Sequence, residues 1–238
     1  MIETKPYPPY PGDFAHGIDL DDWYPCHNLA LCGRLYSPDF AASCEPGLAA
    51  SHRCIKDIPI ESLMQSGTPM GVLSPRASWY VWAAAIIRSG GHVGIGSIDT
   101  KWFPKSHMDR IVCIGDIELA FEKVRRDIAP QAVSRLACIW VAENTSIGQA
   151  HIRSMLSVNT LILKVKIPTA NGVSKVDTSW FDLYCTDFKQ EYIEKYWQGV
   201  VLDPKVPKWE YLVDGVIEVN DPEGLEKIRK KGSDLRLP

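Results

Sequence analysis

The chain has 238 residues, 45% of them apolar and 23% charged, which is the composition of a globular protein that can bury one sizeable core. The formal net charge of -3 argues against non-specific nucleic-acid binding, because that mode needs an excess of Lys and Arg. No apolar stretch typical of a signal peptide opens the sequence. The longest apolar run, Trp79 to Ile87, falls well short of the roughly 20 residues that span a membrane. We therefore expect no membrane association, and action in the cytoplasm or delivery into a host cytoplasm.

The N-terminal third is rich in residues that interrupt regular structure. Residues 1–26 contain five prolines and several aromatics, and proline fixes φ and removes a backbone donor, so this stretch predicts an extended arm. From Cys26 to Gly71 the chain is broken by Pro and Gly, which favours loops. We accordingly divide the chain into a loop-rich N-terminal arm and elaboration, residues 1–71, and an α+β core domain, residues 72–238, which together form one structural unit.

Elements of the core domain follow from hydrophobic spacing and from turn residues. Apolar residues at helical spacing predict a helix over 75–87, stopped by Gly90-Gly91, and a glycine-rich loop follows. Residues 111–114 suit a short strand, and Asp116 can cap a helix that ends before Pro130.

A strand–helix–strand unit over 134–167 is the clearest pattern in the chain. It comprises a strand over 135–141, a helix capped by Asn144, Thr145 or Ser146, and a half-buried strand over 161–167. Beyond it we predict a helix over 187–197, a hairpin turning at Asp214-Gly215, and a short helix from Pro222. The fold class is therefore α+β with a mixed or antiparallel sheet.

Cysteine and histidine are concentrated between positions 26 and 54. This cluster comprises Cys26, His27, Cys32, Cys44, His52 and Cys54. A structural zinc needs four such ligands, but no paired C-x-x-C motif is present. Part-buried free thiols are therefore the preferred interpretation, and a structural zinc is the alternative. We assign no metal ligand, and the negative net charge disfavours a zinc-stapled nucleic-acid module.

Four segments of the second half resemble a group of bacterial and phage proteins related to the ADP-ribosyltransferase fold. They are Glu118–Pro130, Ser134–Ser146, Tyr196–Gly199 and Trp209–Val219, and the resemblance covers roughly residues 111–219. It implies a split, mainly antiparallel sheet with flanking helices that grips NAD, as substrate, in a cleft. It also implies that a glutamate on a late strand acts on the nicotinamide ribose. In this sequence that residue is Glu210.

The chemistry implied for Glu210 is physically coherent. Cleavage of the nicotinamide–ribose bond develops oxocarbenium character, which a nearby carboxylate stabilises. The resemblance further implies an early-strand His or Arg that holds the cofactor, a role for Arg135 or His27, and a Ser or Thr, a role for Thr145 or Ser146. Members that modify arginine carry Glu or Gln where this chain has Lys208, which argues against arginine as the acceptor.

Each candidate residue also has a purely structural interpretation. Glu210 could be a solvated residue at the start of a strand, Arg135 could form a salt bridge, and Thr145 and Ser146 could simply cap a helix. His27 could instead be a metal ligand or a plain loop residue. Glu118 and Glu122 share one helical face, and Glu122 is spaced to pair with Arg125 and Arg126, so a solvated surface is the default interpretation.

Two functions from different classes remain open at this stage. The first is NAD-dependent mono-ADP-ribosyl transfer to a macromolecular acceptor. The second is a non-enzymatic binding protein, an inhibitor or a virion assembly component, that grips a partner through its Pro- and aromatic-rich arm.

Overall fold

The computed structural model describes residues 9–45, 53–65, 75–95, 98–99, 103–156 and 159–234. These residues form an α+β structure with a mainly antiparallel five-stranded sheet and flanking helices. The strands are β1 (Tyr10–Asp19), β2 (Arg34–Tyr36), β3 (Gly94–Ile95), β4 (Ile98–Asp99), β5 (Ile139–Glu143), β6 (Thr160–Asp177) and β7 (Trp209–Val219). The helices are α1 (Trp23–Cys32), α2 (Pro38–Cys44), α3 (Ile60–Leu63), α4 (Pro75–Arg88), α5 (Lys105–Ile128), α6 (Ser146–Met155), α7 (Ser179–Asp187), α8 (Gln190–Trp197) and α9 (Pro222–Asp234).

The large sheet closes on itself. Its strand order is β2-β7-β5-β1-β6, and β6 pairs in addition with β7. The long β6 makes this possible, since its first half pairs with β1 while Val165 to Asp177 pair with β7. Four strands therefore form a ring of antiparallel pairings, and β3 and β4 form a separate two-stranded sheet.

Both faces of the sheet are covered. On one face, strand residues such as Phe14, Leu163 and Val213 pack with Leu29 of α1 and Ile228 of α9. On the other face, Leu212 packs with α5, α7 and α8 in an aromatic-rich cluster. Helix α6 covers Ala15 and Ala142, and Gly17 admits it, since a Cβ there would lie 2.3 Å from Ile152. None of the described helices combines the length and apolarity that crossing a membrane requires.

The N-terminal segment differs from the predicted arm. Tyr10–Asp19 is a strand between β5 and β6. A register shift between Tyr10 and Phe14 accommodates Pro11, which cannot donate to the ladder, and Gly12, whose φ is +131°. Residues 26–45 likewise hold most of α1, β2 and α2 where loops were predicted. Positions 1–8 of the predicted arm lie outside the described residues.

The predicted hairpin at Asp214-Gly215 is wrong, because β7 runs straight through it. Gly215 pairs with Ala170 of β6, and a Cβ at Gly215 would lie 2.5 Å from the Ala170 Cα. Glycine is thus required by the close approach of two backbones, and not by a turn. Ser37 also binds this point, because its hydroxyl donates to Asp214 Oδ1 at 2.6 Å and accepts from the Gly215 N–H at 2.9 Å.

Several other elements differ in their bounds. The strand predicted over 111–114 is part of α5, and so is Asp116, which caps no helix. The strand predicted from 135 begins at Ile139, after a short 3-10 turn over Arg135–Ala137. The helix predicted over 187–197 is divided at Phe188, whose φ is 52°. The predicted helices over 75–87, after Thr145 and from Pro222 are confirmed as α4, α6 and α9.

Candidate functional site

A buried charged cluster connects four separate parts of the chain. We call it the Arg135 cluster, and its members are Glu118 of α5, Arg135 of the 3-10 turn, Tyr196 of α8 and Glu210 of β7. The Arg135 and Glu210 side chains are 6% and 5% exposed. Two of the candidate residues from the sequence, Arg135 and Glu210, therefore meet, although 75 positions separate them in the chain.

Arg135 is held from several sides. Its Nε and Nη2 donate to the two carboxylate oxygens of Glu118 at 2.8 and 2.9 Å, a bidentate pair. The Phe181 ring centroid lies 4.3 Å from the guanidinium carbon, and the Trp140 centroid lies 5.0 Å from it. Burial alone would lower the pKa of Arg135, but the charges of Glu118 and Glu210 and the contact with Tyr196 raise it well above its ordinary value.

Glu210 is anchored through only one of its two oxygens. Its Oε1 accepts from Arg135 Nη1 at 2.9 Å and from the Tyr196 hydroxyl at 3.1 Å. That hydroxyl in turn accepts from Arg135 Nη1 at 2.6 Å. Burial raises the pKa of Tyr196 well above its ordinary value, which keeps the hydroxyl protonated and able to donate. Within the described part of the chain, Oε2 of Glu210 makes no hydrogen bond.

A second buried cluster lies one turn further along α5. Glu122 accepts from Arg125 and Arg126 of the same helix and from the Ser134 hydroxyl, with four donors on its two oxygens. Burial would raise the pKa of Glu122, but these arginines and Ser134 outweigh it and hold the pKa below its ordinary value. Arg126 also donates to the carbonyls of Ile55 and Ile58, so the cluster connects α5 to the segment over residues 55–58.

The predicted solvated face of α5 is therefore wrong. Glu118 is 3% exposed and Glu122 is 1% exposed. The helix has apolar clusters on two sides, with Leu119 packed beside α4 and Phe121 packed beside α7 and α8. The sequence contained a usable signal, because Phe121 falls between the two glutamates and Arg125 and Arg126 are spaced to neutralise a buried Glu122.

The other predicted site residues lie elsewhere. His27 is on α1, which packs against the opposite face of the sheet from the Arg135 cluster. Thr145 and Ser146 are exposed at the start of α6, where the Thr145 hydroxyl accepts from the Gly148 N–H. The structure thus brings together Arg135 and Glu210 of the five candidates. Thr145 caps α6, which is the purely structural role considered for it from the sequence.

The segment with many cysteines shows no metal arrangement where it is described. Cys26 is buried, Cys54 is half-buried, and Cys32 and Cys44 are exposed; all are free thiols. His52 lies outside the described residues. Across the described ranges, no group of three or more His, Cys, Asp or Glu side chains could hold a metal ion.

His16 is a residue that the sequence reasoning did not select. It lies on β1, and its Nδ1 is 2.8 Å from the carbonyl oxygen of Trp140 on β5. This contact lies just beyond the two residue pairs that join β1 to β5. Burial lowers the pKa of His16, more than this hydrogen bond raises it. A neutral ring that donates from Nδ1 keeps Nε2 as an acceptor.

The fold and these clusters define a class of α+β protein with a closed antiparallel sheet and a buried glutamate–arginine pair beneath its helices. Residues 107–230, which are 124 of the 238 residues, match the family described as protein of unknown function (DUF2441), and the chain belongs to this family. The matched segment contains all four residues of the Arg135 cluster, whereas His16 and His27 precede it. No protein with a curated description matches the chain.

Proposed function

We propose that the protein is an NAD-dependent mono-ADP-ribosyltransferase with a macromolecular acceptor, and that Glu210 is its catalytic carboxylate. The observation that carries this proposal is the state of the Glu210 side chain. One oxygen is fixed by Arg135 and Tyr196, and the other is left without a hydrogen bond from the described residues. A carboxylate held in this way can accept from a ribose hydroxyl and stabilise positive charge that develops next to it.

The mainly antiparallel sheet with flanking helices supports an ADP-ribosyltransferase-like fold, which belongs to the same proposal, whereas the pairing of β6 with β7 closes a sheet that the resemblance implies to be split. The resemblance calls for an early-strand His or Arg that holds the cofactor. Neither His27, on a helix, nor Arg135, enclosed by Glu118 and aromatic rings, suits that role. His16 of β1 does not suit it either, because alternation along the strand places it on the face of Phe14 and Ile18, opposite the face of Glu210.

Access to Glu210 requires a local movement in this proposal. Phe181 covers the Arg135 guanidinium and is itself half-buried, so its ring is the group we expect NAD to displace. The alternative function, a non-enzymatic binding protein, is favoured by the same burial, because the Glu210 side chain is only 5% exposed. In that case the Arg135 cluster would serve only to hold α5, α8 and β7 together.

The first experiment measures NAD binding by calorimetry and nicotinamide release by chromatography, for the parent chain and for Glu210→Gln. We expect both to bind NAD, and the variant to lose about 100-fold or more of the release rate, as when a transition-state stabilising group is removed. The matched control is Glu218→Gln, on the same strand but exposed and paired with Arg34, which should behave as the parent does.

Two results would contradict the proposal. The absence of both heat and nicotinamide, with a lysate present as acceptor, would exclude NAD as the substrate and favour the binding protein. Equal nicotinamide release by the parent and Glu210→Gln would leave an NAD-consuming enzyme but remove Glu210 from its chemistry.

A further inference from the structure

The two buried carboxylates of α5 and the carboxylate of Glu210 are bound in three different ways. Glu122 has donors on both oxygens from three side chains, and Glu118 has one donor on each oxygen, both from Arg135. In Glu210 both donors converge on Oε1. The first two arrangements engage both oxygens of the carboxylate and hold the fold together, whereas the third leaves one oxygen without a donor from the described residues.

The donors of Glu210 are themselves fixed. Four hydrogen bonds from the Arg135 guanidinium reach Glu118, Tyr196 and Glu210. The Tyr196 ring is 0% exposed, with the Phe121 ring at 5.0 Å and the Trp197 ring at 4.9 Å in edge-on contacts. A planar cation and a packed phenol therefore bind the same oxygen from two directions, which fixes the plane of the carboxylate.

From this geometry we infer that Glu118, Arg135 and Tyr196 are positioning residues that orient the Glu210 carboxylate so that Oε2 faces the substrate. The inference rests on the proposed function, in which Glu210 is the group that acts. It reassigns Arg135 from holding the cofactor to holding the catalytic carboxylate. It also adds two residues. Glu118 acts on Glu210 through Arg135, and Tyr196 binds Oε1 of Glu210 directly.

The variant that tests the inference is Tyr196→Phe, because it removes one hydroxyl and keeps the packed ring. We expect kcat for nicotinamide release to fall roughly ten- to hundredfold, as for other losses of alignment at a reacting group. The KM for NAD should stay unchanged, because the inference places the hydroxyl on Oε1 of Glu210 and not on NAD. The control is Tyr192→Phe, on the same helix, whose hydroxyl accepts from Lys189 and donates to Asp187 at the surface.

A double-mutant cycle separates positioning from a merely structural role. If Tyr196 acts through Glu210, then Tyr196→Phe should have no further effect on kcat in a Glu210→Gln background. Losses that multiply in the double variant, or a rise in KM equal to the fall in kcat, would overturn the inference. So would a Tyr196→Phe variant with the parent's kcat.

The nicotinamide-release assay distinguishes an error in the proposed function from an error in the positioning role. A parent chain that releases no nicotinamide refutes the proposed function, and the inference with it, before any variant is compared. A parent chain that turns over NAD while Tyr196→Phe keeps the parent's kcat refutes the positioning role alone. Thermal melting of each variant establishes that a loss of kcat does not reflect unfolding.

Discussion

The side chains that touch the buried arginines show how strongly a residue's role depends on its neighbours. Glu118, Glu122 and Glu210 are all carboxylates, and all are nearly excluded from solvent. Burying a charge is costly unless it is paired and hydrogen-bonded, so each of them is bound to an arginine. Three arginines and three glutamates therefore balance in charge along the buried side of α5.

Glu122 makes the clearest stability prediction among these residues. Glu122→Gln removes the charge that faces Arg125 and Arg126 and should lower the free energy of unfolding at pH 7 by about 3–5 kcal/mol, the usual cost of breaking a buried ion pair. The pKa of Glu122 is lowered in the folded chain. Its stabilisation is therefore complete above the unfolded pKa, about 4.3, and is lost as the pH falls through the folded value.

Urea denaturation of the parent and Glu122→Gln between pH 7 and pH 3 measures both effects. The gap between their unfolding free energies should narrow as the pH falls below about 4. Glu218→Gln is the control for loss of an exposed pair and should follow the parent across the range. A gap that stays constant down to pH 3 would show that the carboxylate charge of Glu122 is not the source of the difference.

At this scale the sequence could identify only part of the candidate site. Glu210 and Arg135 were both selected, but the contact between them joins residues 75 positions apart and is set by strand register. Glu118 and Glu122 look solvated because helical spacing alone does not reveal that both sides of α5 are covered. Tyr196 falls in the predicted helix over 187–197, but the partners of its hydroxyl, Arg135 and Glu210, come from other elements and cannot be read from helical spacing.

At the scale of single elements, the sequence is informative where the determinants are local. The Thr145 cap, whose hydroxyl receives the Gly148 N–H, and the helix starting at Pro222 depend on neighbouring residues and were predicted correctly. Asp214-Gly215 has the local chemistry of a hairpin, but the strand continues because β6 and Ser37 bind it from both sides. Tertiary contacts override local preference at this point.

The close approach of two backbones at Gly215 predicts that a substitution there destabilises the protein and that a second substitution at Ala170 restores only part of the lost stability. Gly215→Ala should lower the free energy of unfolding by about 1–3 kcal/mol, as overpacking does, because the new Cβ would lie 2.5 Å from Thr169 O and Ala170 Cα. Ala170→Gly in the same chain should recover only part of this loss, since the Cβ of Ala170 is only one of three contacts. Chemical denaturation of both single variants and the double variant tests this, and complete recovery would contradict a backbone clash.

At the scale of the whole molecule, the segment that defines the family is only part of the sheet. Residues 107–230 contain β5, β6 and β7, whereas β1 and β2 precede them. β1 pairs with β5 on one side and with β6 on the other, and its Phe14 and Ile18 belong to the largest apolar cluster. The ring of pairings is therefore completed by residues near the N-terminus, where the prolines had suggested an arm.

This arrangement predicts that residues 107–230 do not fold as an independent unit. Without β1, the facing edges of β5 and β6 lose their partner, and unpaired strand edges invite aggregation. A chain of residues 20–238 tests the same point with the helices retained, and we expect it to lack a cooperative thermal transition and to elute as an aggregate in size-exclusion chromatography. The full chain, purified in parallel, should be monodisperse and melt in one step. A cooperative transition in residues 20–238 near that of the full chain would show that the core forms without β1. In that case the pairing of β1 with β5 and β6 would not be required for the core to fold.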